Sequence, residues 1–236
     1  MSTNSRGFNG VTPEAVRFLA ALRDHNNKPW FEDHKEQYQQ DLLHPFQALV
    51  SELAGVMLTI DPQFITVPSV NKTISRIYRD TRFSKDKSLF RSSIWLTFKR
   101  PSIDWKEAPA YFFEITPERY RYGMGFYNAS KVFMDRFRRA IREETAEFRG
   151  VTAFYREKQP FTLEGEVYKR LLAPDLPEDL QEWYQRKNFY LTVNRTPDSL
   201  LYSKALTGEL LEGFSTLAPF YQFLWELKHR LEVERG

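Results

Sequence analysis

The apolar residues of this chain change their spacing twice along its length. Through residues 12–60 they recur every three to four positions, which is the period of an amphipathic helix. Through residues 74–127 they recur at every second position, as in a strand, and afterwards they return to helical spacing. Helices, then strands, then helices argue against an alternating parallel sheet. We therefore predict an α+β fold with a central, mainly antiparallel sheet flanked by helices, and with helical N- and C-termini.

Local signals place the helices of the N-terminal part. Thr12 can cap a helix that has Pro13 in its first turn and ends near Asp24. A second helix is predicted to begin around Pro29, after an asparagine cap, and helical spacing continues to residue 60. The face of this second helix that is predicted to pack inward consists of Trp30, Phe31, His34 and Tyr38.

Strand spacing marks the sheet-forming segment 74–127. Residues 110–116 and 119–127 form a predicted hairpin across a short turn. Gly123 and Gly125 lie on one side of its second strand, where close backbone packing is a simpler explanation than a ligand. A further strand is indicated by the alternating residues Ile94, Leu96 and Phe98.

The C-terminal half is predicted to be mainly helical. A long helix is expected over 130–148, and a helical part over 177–235 that contains one strand near 188–195. Pro219 is expected to restart a helix that begins near Ser199. We find no internal repeat or low-complexity tract, and predict a single domain over residues 1–236.

Composition suggests in which compartment of the cell the protein is found. The chain has no cysteine, which excludes disulfides, thiolate nucleophiles and cysteine-based zinc sites. Its first residues lack the basic-then-apolar pattern of a signal peptide, and no apolar run is expected to approach membrane-spanning length. We therefore expect a cytoplasmic protein without a membrane partner. Aromatic residues make up 16% of the chain, and an aromatic-rich core explains them most simply.

Positive charge is concentrated in the middle of the chain. The formal net charge is only +3, but segment 71–100 holds nine basic residues against two acidic ones. Segment 117–142 holds seven basic against two acidic. Clustered like charges repel one another unless something neutralises them, so this asymmetry suggests an anionic partner.

The densest part of this charge is RIYRDTRFSKDKSLFR at residues 76–91. Read as a strand followed by a loop, it places Arg76, Asp80 and Arg82 on one face. Guanidinium groups held on a strand suit bidentate binding of phosphate or carboxylate. We therefore predict a basic pocket for an anionic small molecule, and its candidate residues are Arg76, Arg79, Arg82, Lys85, Lys87 and Arg91.

Two alternatives remain open from the residues alone. Asp80 and Asp86 could pair with neighbouring cations in a structural ion-pair network of a protein-interaction domain. The aromatic residues interleaved in segments 71–100 and 117–142 could instead stack on bases, as in a nucleic-acid-binding module. The small net charge and the absence of a known nucleic-acid motif place that module second.

Signals for catalysis are few. The four histidines show no helical pairing at i, i+3 or i+4, so no metal site is predicted, and no nucleophile elbow, P-loop or dinucleotide fingerprint is present. Asp80 is the one candidate for a general base, but neighbouring cations should lower its pKa and make it a weak base. The sequence implies no cofactor and does not indicate an oligomeric state, and whether the protein is an enzyme is left open.

The chain resembles a widespread family of uncharacterised proteins in three stretches, which read FNGVTPEAVRFLAAL, NNKPWFEDHKEQY and RIYRDTRFSKDK. The resemblance extends over most of the chain, including GMGFY at 123–127 and the helix at Pro219. It implies a conserved domain of unknown function and brings no activity, substrate or catalytic residue with it. The family pattern usually continues T-P-Y-K after its signature. Here the tyrosine is replaced by Phe90, and the final cation is kept as Arg91.

Overall fold

A computed structural model of the chain describes residues 7–82, 85–101, 105–157 and 160–233. It begins with two short helices. Helix α1, Pro13–Asp24, is capped by Thr12, whose hydroxyl oxygen accepts a hydrogen bond from the backbone N–H of Ala15 at 3.1 Å. Helix α2, Lys28–Asp33, is capped in the same way by Asn27. These boundaries confirm the signals read from the threonine, the asparagine and the prolines.

A longer helical stretch follows. It consists of α3, Lys35–Gln37, a π-helical segment, Tyr38–Leu43, and α4, His44–Ile60. By length and composition this 26-residue stretch could cross a membrane, a test that the core helix of a soluble protein also passes. The expectation that no apolar run approaches this length was therefore too strict. In α4 the buried side chains recur at helical spacing, as in a globular core, and they are Phe46, Leu49, Val50, Leu53 and Met57.

Five strands form one antiparallel sheet, which confirms the predicted fold class. The strand order is β1-β2-β3-β5-β4, and β2 and β3 are joined by the predicted turn, in which Thr116 N–H donates to the carbonyl of Arg119 at 2.8 Å. The three-residue strand β4 pairs with β5 and was not predicted. The strands are β1, Ile94–Phe98; β2, Pro109–Ile115; β3, Tyr120–Phe126; β4, Thr162–Glu164; and β5, Tyr190–Arg195.

The two glycines of β3 allow its backbone to lie against β5. A Cβ atom on Gly123 would lie 1.8 Å from the carbonyl oxygen of Leu191, and one on Gly125 would lie 2.3 Å from Cβ of Tyr190. Real Cβ atoms do not approach other atoms so closely, so no larger residue fits either position without a shift of the strands. Close packing of the backbone thus explains the G-x-G pattern.

The later helices differ from the sequence prediction in two places. The expected helix 130–148 is divided at Glu144 into α5, Lys131–Glu143, and α6, Thr145–Val151. The last helix runs through Pro219 instead of restarting there, because buried neighbours on both sides hold it in the core. The remaining helices are α7, Ala153–Arg156; α8, Glu178–Tyr184; and α9, Ala205–Val233.

The chain divides into two compact units. Unit 1 comprises residues 1–100, 112–122 and 194–213. Its core contains apolar side chains of α1, α4 and β1, and the ring of Phe46 lies 5.7 Å from that of Phe113.

Unit 2 comprises residues 101–111, 123–193 and 214–236. Its core contains a cluster of aromatic rings, as an aromatic-rich core was expected to. The rings of this cluster lie 4.8–6.4 Å apart and belong to Phe137, Phe148, Trp183, Phe189 and Phe220.

Candidate functional site

The basic motif folds into a short hairpin within unit 1. Tyr78 and Phe90 form an antiparallel bridge. Arg79 N–H donates to the carbonyl of Leu89 at 2.9 Å, and Arg91 N–H donates to the carbonyl of Ile77 at 2.8 Å. We call residues 76–82 and 85–91 the signature hairpin. Its pairing is too short to make a regular strand, and Phe83 and Ser84, which the motif also contains, lie outside the described residues.

Burial in the first arm of the hairpin alternates as expected of an extended chain. Ile77 is buried, whereas Arg76, Tyr78 and Asp80 are exposed. Arg82 continues this exposed series, and the residues between, Arg79 and Thr81, are partly buried. The exposed face of the first arm therefore carries one aromatic ring between charged groups.

The side chain of Asn26 fastens the second arm to the rest of unit 1. Its amide nitrogen donates to the carbonyl of Phe90 at 2.9 Å, and its amide oxygen accepts from the N–H of Phe90 at 2.9 Å. One amide thus satisfies both backbone groups of a buried residue, as a neighbouring strand would. Asn26 was not singled out from the sequence, where only its place in NNKPWF, before α2, could have indicated a role.

Aromatic packing joins the same two segments. The ring of Phe31, in α2, lies 4.4 Å from the ring of Phe90 and 5.7 Å from that of Tyr78. Phe90 is 1% exposed, so this position belongs to the core. The stretches NNKPWFEDHKEQY and RIYRDTRFSKDK, which carry the family resemblance, are therefore parts of one packed structure.

Two ion pairs lie within the hairpin. Arg82 donates to both carboxylate oxygens of Asp80, from Nε at 3.0 Å and from Nη2 at 2.8 Å. Arg79 Nη2 lies 3.2 Å from Asp86, while its Nε is buried and has no hydrogen-bond partner in the described part of the chain. Both aspartates of the motif are thus engaged by cations of the motif.

The aspartates are firmly ionised. The hydrogen bonds from the side chain and the backbone of Arg82 hold the pKa of Asp80 far below its usual value, and the charge of Arg76 lowers it further. The pKa of Asp86 is also lowered, chiefly by the backbone N–H of Ser88. Asp80 is therefore a hydrogen-bond acceptor, and its low pKa makes it poorly suited to remove a proton from a substrate.

The other four cations of the hairpin are placed differently from one another. Arg76 and Lys85 are exposed and form no ion pair within the described chain. Lys87 donates to the carbonyl of Thr81 at 2.8 Å, and the guanidinium of Arg91 lies 5.0 Å from the centre of the Trp95 ring. The hairpin therefore presents exposed positive charge that its own two carboxylates do not neutralise.

These cations lie on the exposed surface of unit 1 and do not line the depression found in unit 2. That open depression has a volume of about 530 Å³. Its floor includes Arg186, which donates to the carbonyls of Leu163 and Gly165 and so holds β4 in place. Its lining residues are Leu163, Glu164, Gly165, Glu166, Arg186, Asn188 and Tyr190.

The second basic segment, 117–142, is largely neutralised by carboxylates. Arg138, for example, is 9% exposed and lies 2.9 Å from Asp135. It also donates to the backbone carbonyls of Tyr184 and Arg186. Of the seven cations, Arg119 and Arg139 alone show no carboxylate partner among the described residues. The others pair with acidic residues and are Arg121, Lys131, Arg136, Arg138 and Arg142.

A partly buried polar network in unit 1 was not foreseen. The hydroxyl of Tyr120 donates to Asp198 at 3.0 Å, and that of Tyr122 donates to Glu209 at 2.6 Å. Burial raises the pKa of both tyrosines, so the hydroxyls stay protonated and act as donors. Arg195 lies within 3.6 Å of both carboxylates. The network ties β3 to the start of α9, and no spacing in the sequence connects these residues.

Two of the four histidines take part in ring stacking. His25 and His34 stack on Trp30, with ring centres 5.6 Å and 4.0 Å away, respectively. Nδ1 of His34 also lies 2.8 Å from the carbonyl of Trp30. Among the described residues, no group of three or more histidine, aspartate or glutamate side chains is placed to hold a metal ion.

The fold and the site define an α+β protein that carries an exposed cationic hairpin on its surface. The chain belongs to the family described as conserved hypothetical protein DUF2461, whose model matches residues 14–223. The match includes all of α1 except Pro13, as well as Asn26 and the whole signature hairpin. No curated protein matches the chain.

Proposed function

We propose that the signature hairpin binds a ligand bearing phosphate or carboxylate groups. The observation that carries the proposal is that some cations of the hairpin are exposed and not paired with a carboxylate. Both aspartates of the motif are paired within it, and Arg76 and Lys85 remain exposed without a carboxylate partner in the described chain. The candidate ligand-binding residues are Arg76, Arg79, Arg82, Lys85, Lys87 and Arg91.

The rigidity of the frame supports this proposal. Asn26 and Phe31 hold the hairpin through Phe90, so its backbone does not have to be ordered when a ligand binds. A few charge-assisted contacts at a solvent-exposed site correspond to a dissociation constant on the order of 0.1–1 mM.

The two alternatives receive less support. A nucleic-acid-binding module would need segment 117–142 as well as 71–100, and most cations of the former are paired with carboxylates. A purely structural network accounts for Arg79 and Arg82 but gives no role to Arg76 and Lys85. The proposal concerns binding and names no reaction, and a cytoplasmic location remains an expectation.

Calorimetric titration with pyrophosphate and with citrate tests the proposal. We expect both anions to bind the full-length wild-type chain, and Arg76→Gln to weaken each at least about five-fold. Arg139→Gln is the matched control, because Arg139 is also exposed and without a carboxylate partner among the described residues but lies on α5. Its affinities should stay within about two-fold of wild type.

Two results would contradict the proposal. One is the absence of binding by either anion to a folded wild-type chain. The other is an equal loss of affinity in Arg76→Gln and Arg139→Gln, which would indicate nonspecific attraction to positive charge. Binding by single-stranded nucleic acid that weakens in both variants and falls steeply with salt would instead support the module that uses both segments.

A further inference from the structure

Tyr78 is the one aromatic residue on the exposed face of the first hairpin arm. It lies two residues from Arg76 and two from Asp80, and in an extended chain these three side chains share a face. Tyr78 is 46% exposed. Its hydroxyl forms no hydrogen bond with the part of the chain that the structure describes. A single exposed aromatic residue needs no explanation by itself, but this one lies between charged groups of the proposed site.

The ring of Tyr78 is held in place from within the protein. The ring of Phe90 lies 4.8 Å from it in a tilted arrangement, and the ring of Phe31 meets it edge to face at 5.7 Å. Phe90 is in turn fixed by both hydrogen bonds to Asn26. Tyr78 is therefore a rigid ring with a large exposed part, which is what a stacking platform requires.

We propose that the anionic ligand carries a nucleobase, which stacks on Tyr78 while its phosphate contacts Arg76. This inference rests on the proposed function and names the chemical class of the ligand. A base, a sugar and a phosphate follow one another along a nucleotide, and the Cα atoms of Arg76 and Tyr78, two residues apart in an extended arm, are spaced about 7 Å apart. The ring and the cation can therefore be contacted by one such molecule.

Asp80 adds a second, directional feature. Its carboxylate is ionised and paired with Arg82, and it lies on the side of Tyr78 opposite to Arg76. A carboxylate accepts hydrogen bonds and repels phosphate. A sugar hydroxyl or an exocyclic amine of the base can donate to it, whereas the phosphate is directed towards Arg76. Inorganic phosphates are repelled by this carboxylate and lack the neutral donors of a sugar or a base, so the arrangement favours a nucleotide over phosphate alone.

The first test compares ligands on the full-length wild-type chain by calorimetric titration. The probes are pyrophosphate, ribose 5-phosphate and adenosine monophosphate, of which only the last has a base. We expect adenosine monophosphate to bind about ten-fold more tightly than ribose 5-phosphate. Equal affinities for these two overturn the inference. Retained binding of pyrophosphate in that case leaves the proposed function standing, and loss of all binding overturns both.

The second test uses variants and checks that the ring is responsible. Tyr78→Ala should weaken adenosine monophosphate about ten-fold and leave pyrophosphate within about two-fold of wild type, whereas Tyr78→Phe should retain the nucleotide. Leu89→Ala is the matched control, since Leu89 is equally exposed at 46%. Unchanged nucleotide affinity in Tyr78→Ala contradicts the inference. If Tyr78→Ala does not fold, the ligand comparison on the wild-type chain decides the matter alone.

A third arm distinguishes a free nucleotide from the end of a nucleic-acid strand, which share this chemistry. A single-stranded oligoadenylate should bind more tightly than adenosine monophosphate only if further nucleotides contact the protein. Its affinity should then fall steeply with salt. If the oligoadenylate binds no more tightly than adenosine monophosphate, the mononucleotide is identified as the ligand class. Either result supports a base on Tyr78, provided that Tyr78→Ala weakens binding of both the oligomer and the mononucleotide. If Tyr78→Ala changes the affinity of neither ligand, the inference is contradicted.

Discussion

The signature hairpin and helix α5 attract attention in the sequence for the same reason, since each concentrates basic residues, yet they use them differently. Two of the four arginines of α5 are internal: Arg136 and Arg138 are about nine-tenths buried and bonded to carboxylates, and a third, Arg142, pairs with Asp175 at the surface. In the hairpin, Arg76 and Lys85 are exposed and have no carboxylate partner in the described chain. Local charge density in a sequence therefore does not by itself separate a structural cation from one that is available to a ligand.

Backbone geometry explains the difference. On a helix, residues three or four positions apart are neighbours, so Arg138 reaches Asp135, and its length lets it reach backbone carbonyls as well. In an extended arm, alternate side chains point away from the core, and the acids within reach are those of the same arm, such as Asp80, or of the opposite arm, such as Asp86. The hairpin has two acids, and each is already paired.

The comparison of α5 with the signature hairpin predicts the largest loss of stability for a substitution of Arg138. Arg138→Ala removes donors from the carbonyls of Tyr184 and Arg186 and leaves Asp135 without this partner. Because the side chain is buried, we expect the free energy of unfolding to fall by about 3 kcal/mol, measured by urea denaturation. Arg76→Ala should change it by less than about 0.5 kcal/mol. Similar losses in both variants would remove the distinction between the two regions.

A smaller effect is expected where the hairpin is fastened. Asn26→Ala leaves the buried N–H and carbonyl of Phe90 without these partners, and we expect a loss of about 2 kcal/mol in the free energy of unfolding. The amide of Phe90 should also exchange its hydrogen faster. Asn27→Ala is a neighbouring control, which removes the cap of α2 and should cost about 1 kcal/mol without exposing Phe90. Slow exchange at Phe90 in Asn26→Ala would show that the hairpin is held by other contacts.

A third substitution, at Arg82, is expected to weaken ligand binding with little change in the stability of the fold. Arg82→Ala should lower the affinity for pyrophosphate several-fold, because it removes one cation and leaves Asp80 to repel the anion. Arg142→Ala removes a comparable exposed pair with Asp175 and is the control on the other region. Thermal unfolding midpoints should stay within a few degrees of wild type for both. An equal loss of affinity in the two variants would count against a defined site.

The smallest expected effect is a change in the pKa of Asp80, which can be measured by NMR of its carboxyl carbon during a pH titration. Its pKa is lowered in the folded chain, so its ion pair contributes to stability above the unfolded pKa of about 3.9 and this contribution is lost as the pH falls towards the folded pKa. Arg82→Ala should raise the pKa of Asp80 towards about 3.9. An unchanged pKa would mean that Arg82 is not its main partner in solution.

Features that depend on a few neighbouring residues could be predicted. Thr12 and Pro13 placed the start of α1, and alternation placed β1 and the β2–β3 hairpin. Features that tertiary contacts decide could not. β4 is too short for alternation to show, and α9 continues through Pro219 because the residues around the proline are buried.

For the candidate site, the sequence suggested residues, whose role in binding stays a prediction, but not their arrangement. Charge and alternation singled out Arg76, Asp80 and Arg82, and the structure pairs the last two. Which cations remain exposed depends on the reach of individual side chains, and this cannot be read from spacing. Asn26 was missed because it acts on a residue 64 positions away in the chain.

That separation has a consequence for how the protein folds. The hydrogen bonds between Asn26 and Phe90 close a long stretch of chain, and contacts of high sequence separation form late and slowly. Among its described residues the hairpin has one bridge pair of its own, so we expect its native geometry to depend on the contacts with Asn26 and with Phe31 of α2. A truncated chain that lacks the first helices would contain every cation of the motif and still lack the contacts that hold the proposed binding surface.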